Sequence, residues 1–298
     1  MKWFSRISLA LVLLFALGTL PGCGGKSVEP SPEPRPIPTV TPTPEPTTPV
    51  TPPASTTETS SVLLYFTRGE KLGVAGREVR AEDSAEGRAE AAMKALLGGP
   101  TARDKAYGLG TTIPEGTTLN GVTIEGDTAT VDLSRAYESG GGSLSMLLRV
   151  SQVVYTLTQF EGVNKVAFEL DGTIANSIGG EGIIVSPSVT RANFEGQAPA
   201  ILVESPVPGQ SVTSPVHVGG SANVFEAQFR AKVVDPSGKT LTDQAIKATS
   251  GTGTRGTFSA NIPFSPTRAG LGSIVFYEPS AKDGSPINVV KIPVRMTK

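Results

Sequence analysis

Residues 143–160, SLSMLLRVSQVVYTLTQF, carry the periodicity from which the first half of the chain can be built. Leu147, Val150, Val154 and Leu157 recur at helical spacing, and Arg149, Gln152, Thr156 and Gln159 form a stripe nearly opposite. An amphipathic helix from about Ser143 to Phe160 follows, ended by Glu161-Gly162. Its apolar stripe is expected to face a core. The polar stripe of Arg149, Gln152, Thr156 and Gln159 is expected to face outward and is the candidate interaction face.

Strand patterns lie on both sides of this helix. Val163 to Leu170 alternates, with Val166, Phe168 and Leu170 inward, and Asp171-Gly172 then turns the chain. Thr128 to Leu133 alternates as well, with Ala129, Val131 and Leu133 on one face and Thr128, Thr130 and Asp132 on the other. Asp83 and Glu86 have capping-box spacing and open a second helix through Ala89, Ala92, Met93, Leu96 and Leu97, which Gly98-Gly99-Pro100 stops. The apolar run Val62 to Thr67 reads as a buried strand. The fold class is therefore α+β. Residues 61–191 form a small mixed sheet with two helices on one face.

The pattern changes after residue 200. Ile201–Val203, Pro215–Val218, Gln228–Val234, Gly256–Ile262, Ser273–Tyr277 and Asn288–Val294 are strand-like and are separated by turn residues such as Asp235-Pro-Ser-Gly238 and Asp283-Gly284. About seven short strands in roughly 100 residues predict an all-β immunoglobulin-like sandwich over 200–298, without the cysteine pair or tryptophan of antibody domains.

The beginning of the chain has another character. Lys2 and Arg6 precede an apolar stretch from Ile7 to Leu20, and Leu20-Pro21-Gly22-Cys23 follows. This is the order of a secretory signal over residues 1–22, and the cysteine at its end resembles a bacterial lipobox. Cys23 is the only cysteine, so a disulfide within one chain is excluded. The expected modification is a diacylglyceryl thioether on Cys23, whose two acyl chains anchor stably. Residues 23–60 alternate proline with small and polar residues. They form an expected disordered tether, whose extended polyproline II form would reach on the order of 100 Å. The chain would then be exported and held on the outer face of the cytoplasmic membrane.

Little in the sequence points to catalysis. A net charge of −1 and the lack of a basic run argue against nucleic acid or an anionic surface as partner. Gly251-Thr-Gly-Thr-Arg-Gly256 fits a dinucleotide motif in letters, but a strand pattern follows where a helix is needed, so a flexible hairpin loop is expected. His217 is the only histidine, and no carboxylate set has calcium-loop spacing, so no cofactor and no metal are expected. No G-x-S-x-G is present. Asp132, Glu169 and Glu226 are the carboxylates a glycosidase pair would draw on, and a solvated strand face is the simpler account of each.

Two resemblances complete the reading. Leu64-Tyr65-Phe66, Ala95-Leu-Leu-Gly-Gly-Pro100, Ile113-Pro-Glu-Gly-Thr117, Ala129-Thr-Val-Asp-Leu-Ser134 and Gln152 to Phe160, with Val163 and Asp171-Gly172, resemble the GerMN domain of sporulation and spore germination proteins. That family implies a module similar to ring-building units, with motif residues in structural roles and no enzymatic activity. Ser205-Pro206, Ser214-Pro215-Val216, Gly219-Gly220, Val224-Phe-Glu-Ala227, Gly256-Thr-Phe258 and Glu278 with Asp283-Gly284 resemble the immunoglobulin-like domain of bacterial spore germination. Together they imply a non-catalytic surface lipoprotein that acts as scaffold or interaction protein in sporulation, germination or envelope assembly. It would face the cell wall or the forespore intermembrane space, with protein partners or a second copy bound. The alternative is a peptidoglycan-binding module, weakened by five tyrosines and a single tryptophan, Trp3, which leaves with the signal. A solute-binding lipoprotein would need helices in the C-terminal half, and a cell-wall enzyme lacks a catalytic set.

Overall fold

A computed structural model describes residues 57–180 and 182–297. The signal, Cys23 and nearly all of the expected tether lie outside the described residues. Strand β1 (Thr57–Arg68) pairs antiparallel with β2 (Lys71–Glu82) along its whole length. Gly69, at φ +60°, supplies the first residue of the two-residue turn between them. Residues 57–60, expected in the tether, thus belong to this hairpin.

Helix α1 (Ala85–Leu97) follows. Ser84, not Asp83, caps it, accepting from the Gly87 amide at 2.9 Å. Glu86 does not close a capping box: it accepts the Ile124 amide at 3.0 Å and covers the edge of β3 (Leu119–Glu125). The short α2 (Ala102–Ala106) lies between α1 and β3. Strands β3, β4 (Thr128–Leu133), β5 (Lys165–Leu170) and β6 (Thr173–Ile174) form one mixed sheet in that order, with β4 and β5 parallel. Helix α3 (Ser143–Leu157) is the crossover between those parallel strands. A two-stranded arm, β7 (Ser177–Ile178) and β8 (Ile183–Ile184), and a turn of 3₁₀ helix (Arg191–Gln197) complete this half.

Both helices pack between the sheet and the β1–β2 hairpin, with contacts from α3 to β1, β2, α1, β5 and β8. Every residue from Leu148 to Leu157 is buried. A helix enclosed on all sides has no outward face. Arg149, Gln152 and Thr156 are therefore 3 %, 0 % and 0 % exposed, and Gln159 is half-buried, which corrects the expectation of an exposed interaction stripe.

The stripe satisfies main chain instead. Arg149 donates from Nε to the Thr112 carbonyl at 2.8 Å, from Nη1 to those of Tyr137 at 2.6 Å and Ser139 at 3.1 Å, and from Nη2 to that of Gly140 at 3.2 Å. Gln152 accepts the Thr112 amide and donates to Thr111 Oγ1. Thr156 Oγ1 accepts the Tyr65 amide, and Gln159 both accepts from the Leu63 amide and donates to its carbonyl, at 2.7 Å each. The side-chain amide of Gln159 thus stands where a neighbouring strand would pair with β1. A buried backbone polar group needs a partner, and these four residues supply it.

The C-terminal half is an immunoglobulin-like sandwich. Its strands are β9 (Ile201–Ser205), β10 (Ser211–Val212), β11 (Val216–Ala222), β12 (Gln228–Val234), β13 (Thr240–Lys247), β14 (Gly256–Ile262), β15 (Gly270–Pro279) and β16 (Pro286–Met296). One sheet runs β10-β16-β15-β12-β13 and the other β14-β11-β9. Phe229, Phe258 and Phe276 meet between them, with Phe229 and Phe258 edge to face at 4.9 Å. The Gly251–Gly256 stretch joins β13 to β14, which lie in opposite sheets, so it is a crossover and not a hairpin loop.

Asp235 fixes the β12–β13 turn. Its Oδ1 accepts from the Ser237 amide at 2.8 Å, Ser237 Oγ at 2.5 Å and the Lys239 amide at 3.0 Å, while Oδ2 accepts from Thr267 Oγ1 at 2.6 Å. The hydrogen bonds from Ser237 and then Thr267 hold this carboxyl well below the usual carboxylate range. A depressed folded-state pKa stabilises the fold fully above the unfolded value of about 4 and loses that contribution as pH falls. The melting temperatures of wild type and Asp235→Asn should therefore converge as pH is lowered from about 5 toward 2. A gap that stays constant over that window would show that the ionised carboxylate contributes nothing.

Candidate functional site

The feature that unites the two halves is strand β9. Alternation along a strand sends neighbouring side chains to opposite faces. Ile201 and Val203 enter the sandwich core, whereas Leu202, between them, enters the core of the N-terminal half. Phe194 and Ala198, from the connecting segment, belong to that N-terminal core too. The boundary expected near residues 191–200 is thus a packed junction, and a single strand serves two cores.

Glu204, next along β9, faces the N-terminal half. It accepts a short hydrogen bond from the Tyr65 hydroxyl and an ion pair from Arg191 Nη1 at 3.0 Å. Arg191 also donates from Nε to Thr158 Oγ1 at 2.8 Å, and from Nη2 to the Tyr155 carbonyl at 3.1 Å and the Tyr65 hydroxyl at 3.2 Å. Its guanidinium lies 4.7 Å from the Tyr155 ring centroid and 5.2 Å from that of Tyr65. Burial pushes the Tyr65 hydroxyl well above the phenol range. Burial alone would lower the Arg191 pKa, but the Tyr65 oxygen and the Glu204 carboxylate more than reverse this. The result is a protonated phenol, a permanent cation and a carboxylate that fasten β9 to β1 and α3.

Further contacts extend the junction. Arg255, from the glycine-rich crossover, donates from Nε to Glu195 Oε2 at 2.8 Å and from Nη2 to the Pro199 carbonyl at 2.8 Å. Asn223 Nδ2 donates to the other Glu195 oxygen at 3.0 Å. Arg103 Nη2 donates to the Gly209 carbonyl at 2.6 Å. The approach there is close: a Cβ on Gly209, at φ +79°, would lie 2.1 Å from Arg103 Nη2 and 2.7 Å from the Tyr107 hydroxyl. Two clefts flank the seam. One of about 410 Å³ is lined by Leu63, Gly76, Arg77, Arg103, Glu204 and Val207, and one of about 520 Å³ by Arg191, Glu195, Ser221, Thr254, Arg255 and Thr257.

The residues singled out in the sequence lie elsewhere. His217 is exposed, its Nε2 3.1 Å from Ser259 Oγ. Asp132 and Glu169 are paired across β4 and β5, on the face away from the core, and Asp132 accepts the Gly172 amide at 3.1 Å. Glu226 is distant in the fold, in an exposed turn between β11 and β12 at φ +52°. The structure therefore brings two of the three carboxylates together, and one of them, Asp132, holds the turn after β5. The junction residues Tyr65, Arg191, Glu195, Glu204 and Arg255 escaped the sequence reading. The one local sign was Glu204, a charge closing the apolar run Ile201-Leu-Val203.

Among curated proteins none matches this chain. Several solved structures are similar to it. A candidate lipoprotein from Clostridium perfringens is 20 % identical over 47 % of this chain and 93 % of its own, with a TM-score of 0.35. The first GerMN domain of the sporulation protein GerM from Bacillus subtilis is 26 % identical over 45 % of this chain and 98 % of its own, at 0.36. The tandem GerMN domains of the same protein are 19 % identical over 68 % of this chain and 61 % of theirs, at 0.37. Residues 63–175 match the family model Germane, described as sporulation and spore germination, and residues 200–285 match Gmad2, described as the immunoglobulin-like domain of bacterial spore germination. The chain thus carries a sporulation and spore germination domain of the GerMN type followed by an immunoglobulin-like domain of bacterial spore germination.

Proposed function

We propose that this chain is a non-catalytic surface lipoprotein that serves as a scaffold in sporulation, spore germination or envelope assembly. The observation that carries the reading is β9, whose side chains belong to two cores and which the Arg191–Glu204–Tyr65 network locks in place. A strand shared in this way makes the two domains one body with a fixed geometry, as a scaffold requires. The polar stripe of α3 that sequence reasoning offers for contact is consumed in holding main chain, which leaves the outer surface for partners. Lipid on Cys23 would hold that body at the membrane, and the proline-rich segment after it would set its distance. Among the described residues no helix is long and apolar enough to cross a membrane.

Photo-crosslinking in the native cell tests this, with the probe at Ile174 or Ile184, which are 70 % and 69 % exposed on the N-terminal domain. The expected outcome is one defined adduct, with an envelope protein of the sporulation or germination apparatus or with a second copy. Failure to form an adduct, combined with co-sedimentation of the purified chain with peptidoglycan, would replace the scaffold with the wall-binding reading.

A further inference from the structure

The net charge of −1 and the lack of any basic run conceal an arrangement that only the sheet pairing creates. In the five-stranded sheet, Phe229, Ala231, Val233, Ile274, Phe276, Ile292 and Val294 point into the core. The residues between them point to the opposite face. On that face Arg230 is paired with Tyr277 and Ala245, Lys232 with Val275 and Asp243, Lys291 with Val275, and Arg295 with Leu271. Lys247 closes the row on β13, opposite Gln228. The hairpin of β12 and β13 and the distant strand β16 thus contribute Arg230, Lys232, Lys247, Lys291 and Arg295, against one carboxylate, Asp243.

Asp243 is itself occupied. It pairs with Arg230 Nε at 2.8 Å, accepts from the Tyr277 hydroxyl at 2.8 Å and lies 3.9 Å from Lys232. Among the described residues no carboxylate lies within ion-pair distance of Lys247, Lys291 or Arg295, and all three are exposed. Apolar side chains stand among these cations: Leu271 is 56 % and Val289 53 % exposed. Lys232 Nζ lies 5.2 Å from the Tyr277 ring centroid. The N-terminal domain packs on β9, in the other sheet, so this face points away from the junction.

We propose that this face docks on the surface of an anionic phospholipid bilayer. Charge complementarity carries the choice: a face with a net charge of about +4 meets a negative surface, and each cation near such a surface raises partitioning about fivefold. Exposed Leu271 and Val289, with Tyr277, fit the boundary between headgroups and acyl chains, where apolar and aromatic side chains settle. A polar polyanion offers the aliphatic residues nothing. Docking through this sheet would lay the sandwich on the membrane and raise the N-terminal domain above it.

The test uses the full chain with Cys23→Ser and an environment-sensitive fluorophore on Val289→Cys, mixed with vesicles of phosphatidylglycerol and phosphatidylcholine. The local probe reports this face whatever the N-terminal segment does. The expected result is a blue shift and a roughly twofold or larger gain in emission, abolished by about 0.5 M salt, where the screening length falls to a few ångströms. Lys232→Glu, Lys291→Glu and Arg295→Glu combined should abolish the response while circular dichroism stays unchanged. A probe on Glu90→Cys, in α1, should not respond. The proposal is overturned if the Val289 probe is silent with anionic vesicles, if it responds equally to pure phosphatidylcholine, or if a soluble poly(glycerol phosphate) evokes the same blue shift without vesicles.

Discussion

Replacing Arg149 with alanine should lower the unfolding midpoint by roughly 10 °C, the largest loss expected from any single truncation in the N-terminal domain. Arg149 is 3 % exposed, its guanidinium reaches the carbonyls of Thr112, Tyr137, Ser139 and Gly140, and its main-chain carbonyl accepts from the Tyr137 hydroxyl at 3.1 Å. Among the described residues no carboxylate pairs with it, and burial lowers its pKa. The charge is therefore held by carbonyl dipoles and by the face of Tyr137, whose ring centroid lies 6.0 Å away. A hydrogen bond to a charged group contributes about 1.5–3 kcal/mol, and an orphaned buried acceptor costs about 1–3 kcal/mol. These contributions are not additive, and a combined loss of about 3–5 kcal/mol is expected. For a protein of this size each kcal/mol moves the midpoint by roughly 2–4 °C. Arg149→Met keeps most of the apolar stem and removes only the donors. Thermal melts of both variants separate packing from hydrogen bonding. If the methionine variant stays within about 0.5 kcal/mol of wild type, the account of Arg149 is wrong.

The second large effect concerns the junction. Arg191→Ala should cost about 2–3 kcal/mol, less than a fully enclosed pair, because the Arg191 and Glu204 side chains are 29 % and 24 % exposed and solvent screens part of their attraction. The loss includes two aromatic faces, each worth about 0.5–2 kcal/mol to a cation. Glu204→Gln should cost less, since the amide oxygen still accepts from Tyr65. Combined in a double-mutant cycle, the two changes should show a coupling of about 1–2 kcal/mol, where independent sites add within about 0.5 kcal/mol. Calorimetry supplies a second readout. The wild-type chain should unfold in one transition, because Leu202 ties the cores together, and Arg191→Ala should broaden or split it. Additive losses with a single sharp transition would leave the network without its assigned role.

These residues show what the sequence displays and what it hides. The helix at 143–157 and the strands at 128–133 and 165–170 were legible because each shows its own period over enough residues to define a face. The C-terminal strands were legible from their spacing, although β13, with exposed Thr240, Asp243 and Lys247, lacks the apolar signal and passed unnoticed. Strand β2 was hidden for a similar reason: Gly73, Gly76, Arg77 and Arg80 interrupt its run, and Gly76 is there because Val207 packs where a Cβ would stand, at 2.7 Å. The polar stripe of α3 was located correctly but assigned to solvent. Periodicity says which residues share a face and is silent about what covers it. The junction was least accessible, because Tyr65, Arg191 and Glu204 belong to three segments and none has a local pattern that names its partners.

The way α3 grips β1 also bears on mechanical load. Tension arriving from the N-terminal side enters the described residues at Thr57, at the open end of the hairpin and opposite Glu82. A pull across the hairpin would open its hydrogen bonds one pair after another, like a zip. The first obstacle would be Leu63, clamped at both its amide and its carbonyl by Gln159, and the next would be Tyr65, held by Thr156 and Glu204. The five residues Thr57 to Ser61, ahead of the buried Val62, would act as a fuse, yielding and re-forming under small forces while the core stays closed.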